Sequence, residues 1–477
     1  MADLADLHEL TALEQGDLIR RGELSPVELT EHYLARAEQL PADFVDGAFA
    51  HRDPEAARRR AFEVAAVGPV GDGVSPLAGV PTAIKDLNLT AGVPTRFGSP
   101  VFADHVPSVS DAITLAIEAS GLVSLGKTST PEFGSPCYTE PEGRPPAVTP
   151  WDTTRMAGGS SGGAAAGVAA GLVPVAHGSD GGGSIRIPAA CCGLVGLKPT
   201  RGRISGFPLY GDPVGLSTSG SIARTVADAA ALLDVLAGRR AGDPSWAPEP
   251  SSTFLEATRR EPGRLRIACF EEPVIAEVDL HPEVRRAYDD TARLLGSLGH
   301  AVEGVPMPLP REAVGVFETC WAVLTALSTT NLDVDQREQL RPLTRWLGER
   351  GEAVSGPEFG LAIGQLRRHA AEALVALAPY DVVLTPTLAT LPLPVGALRD
   401  DADPLADFEA QKRFTPFTSL WNVTGMPAIS LPLHQSADGL PIGVMLAARP
   451  AQEATLLALS AQVEQALPWK DRRPPLW

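Results

Sequence analysis

Met156-Ala-Gly-Gly-Ser160-Ser161-Gly-Gly163, Gly178-Ser-Asp180-Gly181-Gly182-Gly183-Ser184-Ile-Arg186-Ile-Pro188 and Gly193-Leu-Val-Gly-Leu-Lys198-Pro-Thr200 follow one another with little between them. Two serines, Ser160 and Ser184, thus sit in glycine-rich backbone. Glycine lets main-chain N–H groups turn toward a ligand and lets another chain come close. Three glycines directly before a serine are what a backbone oxyanion hole beside a nucleophile requires. A plain glycine-rich turn is the alternative reading of any isolated Gly-Gly-Gly-Ser. Around these blocks, short apolar runs such as Gly121-Leu-Val-Ser-Leu125 and Gly171-Leu-Val-Pro-Val-Ala176 alternate with turns and helical patterns. That alternation predicts an α/β fold with a buried sheet.

Outward from this core, Ser25-Pro26-Val27-Glu28 combines an N-cap, a proline at the first helical position and a glutamate three residues on. It predicts a helix with Val27, Leu34 and Ala37 on one face, within a helical N-terminal segment (1–70) that wraps the fold. The motif-rich core spans 75–235. Residues 238–252, dense in Pro, Gly and Ser, read as an exposed connection that divides it from the second half, 253–477. There, Leu265–Phe270 predicts a strand, Pro282–Leu298 an amphipathic helix ending near Gly299, and 311–380 further helices. Ala428–Leu433 and Ile442–Ala447 predict a strand pair joined through Asp438-Gly439.

The chain has 477 residues and a formal charge of −18, a sign that repels phosphate backbones and anionic lipid. Nucleic-acid and membrane partners are not expected. The acidic start, Met1-Ala2-Asp3-Leu4-Ala5-Asp6, lacks the positive region of a secretory signal, and no apolar run approaches the ~20 residues of a bilayer span, so a cytoplasmic protein is expected. Five cysteines without a CxxC pair fit reduced, buried thiols; the adjacent Cys191-Cys192 is a poor metal or redox pair.

Two short motifs compete. Gly121-Leu-Val-Ser-Leu-Gly126-Lys127-Thr128 matches a phosphate-binding loop letter for letter, but its loop positions read as the strand, and Ser129-Thr130-Pro131 stands where a helix must start. Gly159-Ser160-Ser161-Gly162-Gly163 matches a nucleophile elbow centred on Ser161. That reading, an α/β-hydrolase-type esterase, needs a downstream histidine, for which His281, His300, His369 and His434 are available.

Together with Gly79-Val-Pro-Thr-Ala-Ile-Lys85-Asp86, Phe417-Thr-Ser-Leu-Trp-Asn-Val-Thr-Gly-Met-Pro-Ala-Ile-Ser-Leu-Pro432 and Gly439-Leu-Pro-Ile-Gly443, the blocks resemble, in order and spacing, the amidase signature family over essentially the whole chain. The resemblance implies one large α/β domain, a central twisted mixed β-sheet covered by helices on both faces. It implies hydrolysis of a small-molecule amide, ester or carbamate, without metal or organic cofactor, by a monomer or homodimer. It further implies Ser184 as nucleophile, Ser160 as relay on a cis peptide, Lys85 as base, and the N–H groups of Gly181, Gly182, Gly183 and Ser184 as oxyanion hole. Ser161, Asp180 and Arg186 would support these from behind, or merely cap turns.

The chemistry is coherent. A serine hydroxyl needs a neighbour to take its proton, and a lysine does so only when burial keeps it neutral. Lys85, flanked by Val80-Pro-Thr-Ala-Ile84 and Leu87, has such surroundings, although pairing with Asp86 is its ordinary alternative. Gly181 and Ser179 are positions where relatives often carry Thr, which bears on subfamily. His177 is expected to pack beside its strand. Thr130–Gly134, His177–Asp180 and Pro468–Pro475 are most similar to the nylon-oligomer (6-aminohexanoate cyclic dimer) hydrolase and urethanase-like branch. Cys320, Trp321, Trp421 and Asn422 are candidate pocket residues, with the buried core as the other possibility for each. The amidase subunit of a tRNA-dependent amidotransferase, which needs partner subunits, is a further alternative.

Overall fold

The computed structural model describes residues 4–68, 75–209 and 211–477. The first three residues of the acidic start and residues 69–74, at the end of the wrapping segment, lie outside the described residues.

The predicted N-terminal helix forms over Pro26–Gln39. Ser25 Oγ accepts from Val27 N–H, and Glu28 accepts from Ser25 N–H at 2.9 Å, closing the capping box. Leu34 and Ala37 are buried, and Val27 packs against the same core. The segment is not wholly helical, however. Phe49–Arg52 forms a strand, β1, too short for its side-chain alternation to stand out in the sequence. Strand β1 pairs antiparallel with β3 (Val123–Thr128), which pairs parallel with β2 (Pro81–Lys85), making a three-stranded sheet in the order β1-β3-β2.

The larger sheet has eight strands: β4 (Val175–Asp180), β5 (Val195–Lys198), β6 (Thr218–Ala223), β7 (Arg266–Cys269), β8 (Ala301–Gly304), β9 (Val382–Pro386), β10 (Ala428–Gln435) and β11 (Pro441–Ala448). Their order is β4-β6-β5-β10-β11-β9-β7-β8, antiparallel up to β9 and parallel from β9 to β8. Strands from both sides of the 238–252 connection therefore share one sheet, joined where β5 meets β10. The predicted hairpin is β10–β11, with Ala428 opposite Ala447.

Successive residues of a strand point to opposite faces. Ile429, Val444, Leu446 and Val382 enter one apolar core, while Ala428, Met445, Ala447 and Val383 enter another. The central strands are thus buried on both faces, which is why they read as continuous apolar runs rather than alternating ones.

The small sheet lies beside the β4 edge without a backbone ladder between them among the described residues. Side chains bridge the seam: Thr82 Oγ1 donates to Val175 O at 3.1 Å, and Lys85 N–H donates to His177 Nδ1 at 3.4 Å. This lateral placement brings the end of β2 to the end of β4. The phosphate-loop motif is spent on architecture: Lys127 is buried on β3, 2.9 Å from Thr95 Oγ1 and 3.5 Å from Asp86. Asp86 is thereby paired with Lys127 and not with Lys85.

Candidate active site

Lys85 ends β2 with its side chain fully buried. Its Nζ donates to Ser160 Oγ at 2.7 Å, to Ser179 Oγ at 3.0 Å and to Ser179 O at 3.4 Å. Burial, opposed only by the charge of Asp180, pulls its pKa from 10.5 to about 7. Ser160 follows a cis Gly159–Ser160 peptide, as the resemblance implied. Ser161 N–H donates to Ser184 O at 3.1 Å, stitching the two glycine-rich loops together.

Asp180, at the end of β4, organises the second loop. Burial alone would raise its pKa, but Arg186, bonded to both carboxylate oxygens at 2.9 and 2.8 Å, brings it down to about 2, with Lys198 and Asn422 assisting. The carboxylate also accepts from Gly183 N–H at 2.8 Å and Ile185 N–H at 3.2 Å.

A trans peptide is planar, so its C=O and N–H point opposite ways. Asn422 Nδ2 holds Asp180 O at 2.9 Å, and Ile187 N–H holds Gly183 O at 2.8 Å. Fixing these carbonyls fixes the opposite directions of Gly181 N–H and Ser184 N–H. The peptide between Gly182 and Gly183 is clamped at both ends, because Gly182 O accepts from Thr418 Oγ1 at 2.6 Å. Gly183 N–H is therefore committed to Asp180, which corrects the expectation that all four successive N–H groups face a substrate. Gly183 has φ +138°, and a Cβ there would lie 2.4 Å from Thr418 Oγ1, so this position requires glycine.

Ser184 is 7 % exposed and opens onto two adjoining cavities. One also contains Ser160, Ser179, Asp212 and Ser328; the other contains Ile187, Val314, Phe317 and Phe408. Ser135 and Trp321 border both, with Trp321 Nε1 donating to Ser135 Oγ at 3.2 Å. Among the described residues no hydrogen bond joins Ser160 Oγ to Ser184 Oγ, although both border one cavity.

Of the four candidate pocket residues only Trp321 lines these cavities. Cys320 is its neighbour on the helix Ala313–Thr329, about 100° round the axis, and is buried with Leu216 and Leu366 in an apolar cluster that Trp321 only flanks. Trp421 is wholly buried in the core, and Asn422 is consumed by the Asp180–Arg186 network. The sequence reading missed Phe317, Ser135 and Thr418. Phe317 and Trp321 follow helical spacing and stack at 5.5 Å, a signal that was readable had the helix been phased.

Ser161 borders neither cavity: its hydroxyl donates to Ser179 O and accepts from Ser179 N–H, at 3.2 and 3.3 Å. None of the four histidines serves it. His281 caps the helix Pro282–Ser297, and His300, His369 and His434 bond Gln462, Glu372 and Thr291. His177 packs beside the seam as expected, and burial, helped by the charges of Lys85 and Lys127, holds its pKa near 3. Cys191 and Cys192 are buried free thiols, and no helix among the described residues is long and apolar enough to cross a membrane.

Comparison with known proteins points one way. The family model described as Amidase matches residues 28–457. The chain is 37% identical to the 6-aminohexanoate-cyclic-dimer hydrolase of Paenarthrobacter ureafaciens, over 98% of this chain and 96% of that one. A substrate complex of a 6-aminohexanoate cyclic dimer hydrolase superposes with TM-score 0.90 at 34% identity, covering 98% of this chain and 99% of the other. A bacterial aryl acylamidase of the amidase signature family gives TM-score 0.86 at 27% identity, with 97% of each chain covered.

Proposed function

The chain belongs to the amidase signature family, enzymes of C–N amide hydrolysis, and from that membership we propose that it works through an acyl-enzyme on Ser184, with Ser160 and Lys85 carrying the proton. The observation that carries this reading is the 2.7 Å bond from a buried lysine, whose pKa of about 7 leaves half of it neutral at that pH, to a serine that shares a cavity with Ser184.

Neutral Lys85 takes the proton of Ser160, Ser160 takes that of Ser184, and Ser184 Oγ attacks the carbonyl carbon. The developing oxyanion is held by the N–H groups of Gly181, Gly182 and Ser184, with Gly183 turned to Asp180. Collapse breaks the C–N bond as the relay returns the proton to the leaving nitrogen. Water then attacks the acyl-enzyme by the reverse route, releasing the acid and restoring Ser184. The same scheme serves an ester, in which the leaving atom is oxygen, and a carbamate, whose carbonyl carbon keeps a second heteroatom in the enzyme-bound intermediate. Asp180, Arg186 and Ser161 hold the loops and do not touch the reacting atoms.

Treatment with a fluorophosphonate followed by peptide mass mapping tests the assignment. One adduct on Ser184, formed far more slowly in Lys85→Ala, is the expected result. An adduct on Ser161 would replace the triad with the elbow reading. No adduct in the isolated chain, with activity appearing only beside copurifying subunits, would favour the amidotransferase reading.

A further inference from the structure

The two cavities at Ser184 differ in chemistry, and one helix lines both. Along Ala313–Thr329, Val314 and Phe317 face the first cavity, Trp321 borders both, and Leu324, Thr325 and Ser328 face the second. The spacing is that of a single helical face, so Trp321 is the wall between two lobes.

The first lobe, about 70 Å³, is walled largely by apolar side chains. Its charged members, Lys412 and Glu318, pair at 2.6 Å, and Lys412 also reaches Glu409 outside the lobe at 2.6 Å. The second, about 230 Å³, is lined by serine hydroxyls and by the loop that Asp212 pins through the N–H groups of Val214, Gly215, Leu216 and Ser217. Ser160 belongs to this second lobe alone.

Position follows from proton delivery. The group that loses the acyl carbon must receive its proton as the C–N bond breaks, and in the scheme above Ser160 supplies it. The leaving nitrogen therefore lies on the Ser160 side, and the acyl substituent lies across Trp321. We propose that this chain sorts its substrate by polarity across Ser184: an uncharged, apolar acyl chain in the lobe of Ile187, Val314, Phe317 and Phe408, and a polar amine in the lobe of Ser160, Asp212 and Ser328. This rests on the triad reading and assigns a substrate class to it: amides of medium-chain or aromatic acids with hydrophilic amines.

The test uses two substrate series and two variants on the same helix. One series varies the acyl group from acetyl to octanoyl on a single amine; the other varies the amine from apolar to hydroxylated on a hexanoyl group. Val314→Trp narrows the first lobe and Ser328→Trp the second, both at positions that are not fully buried. Val314→Trp should lower the octanoyl-to-acetyl ratio of kcat/KM about tenfold or more while the amine preference moves less than about twofold, and Ser328→Trp should do the converse. The opposite pattern, or both variants shifting both series equally, would overturn the assignment. Fluorophosphonate labelling with peptide mapping separates the two levels of failure: absence of an adduct on Ser184 removes the triad reading, whereas a labelled Ser184 with the wrong selectivity pattern removes only the lobe assignment.

Discussion

Lys85 can act as a base because the fold denies it water and gives it no close carboxylate. A buried lysine normally has an anionic partner. Here Asp86, the obvious one, turns to Lys127, and Lys85 is left with hydroxyl and carbonyl oxygens. With its pKa at about 7, kcat/KM should rise as pH climbs through that value and then level. A profile flat between pH 6 and 9 would contradict the role. Lys85→Ala should lose on the order of 10²–10⁴-fold in kcat. Stability should move the other way. The folded pKa lies below that of the unfolded chain, so wild type carries a penalty that is full below about pH 7 and fades as pH approaches 10.5. Lys85→Met should therefore unfold at higher denaturant than wild type at pH 6, by a few kcal/mol at most on the order of the shift. The difference should shrink by pH 9, and the Ser160 and Ser179 hydroxyls, losing a donor, offset part of it. Sequence alone made Lys85 a candidate because its neighbours are apolar. It could not reveal that Asp86 is occupied by a lysine 41 positions on, nor distinguish Trp321 from Cys320, since phasing a helix against a cavity requires both to be located.

Among the elements, the segment 415–424 does for the glycine loop what local sequence cannot. Thr418 and Asn422 hold the carbonyls of Gly182 and Asp180, so N–H groups far away in the chain point where they do. Thr418→Val removes the donor to Gly182 O with little change in volume. The peptide it releases carries Gly183 N–H, which faces Asp180, so the oxyanion donors on either side are loosened and not lost. The expected result is a fall in kcat of about 3- to 10-fold, with KM nearly unchanged and Tm within a few degrees of wild type. Equal effects on kcat and on thermal stability would make Thr418 a packing residue only. The strands and helices of strong pattern were legible, including the capped helix at Pro26 and the hairpin β10–β11. Strand β1 was not, because four residues give an alternation too short to detect and its partner β3 supplies the reason for it to form. Nor did a Gly-Gly-Gly-Ser run disclose that one of its N–H groups is turned inward by Asp180.

On the scale of the whole molecule, the exposed connection at 238–252 separates two stretches of sequence but not two sheets. Strand β5 from one side pairs with β10 from the other, and the glycine loop is braced by Asn422 across the same boundary. Trypsin should cut first at the exposed Arg239 or Arg240, and the nicked halves should co-elute on gel filtration with activity retained. Separation of the halves on nicking would show that the shared sheet contributes less than its ladder implies. The α/β class was legible from the glycine-rich blocks and apolar runs; the division into sheets of three and eight strands was not, because it depends on where a ladder is absent.

That absent ladder has a consequence of its own. The proposed base is carried by one sheet and Ser179, one of its hydroxyl partners, by the other, so the 3.0 Å contact between them measures how the two sheets lie. Sliding one past the other by a single residue, about 3.3 Å, would take the lysine out of reach while leaving each sheet internally intact. Turnover is therefore a stricter report of correct assembly than secondary-structure content: a chain whose sheets form but dock out of step is well folded by every local measure and chemically mute.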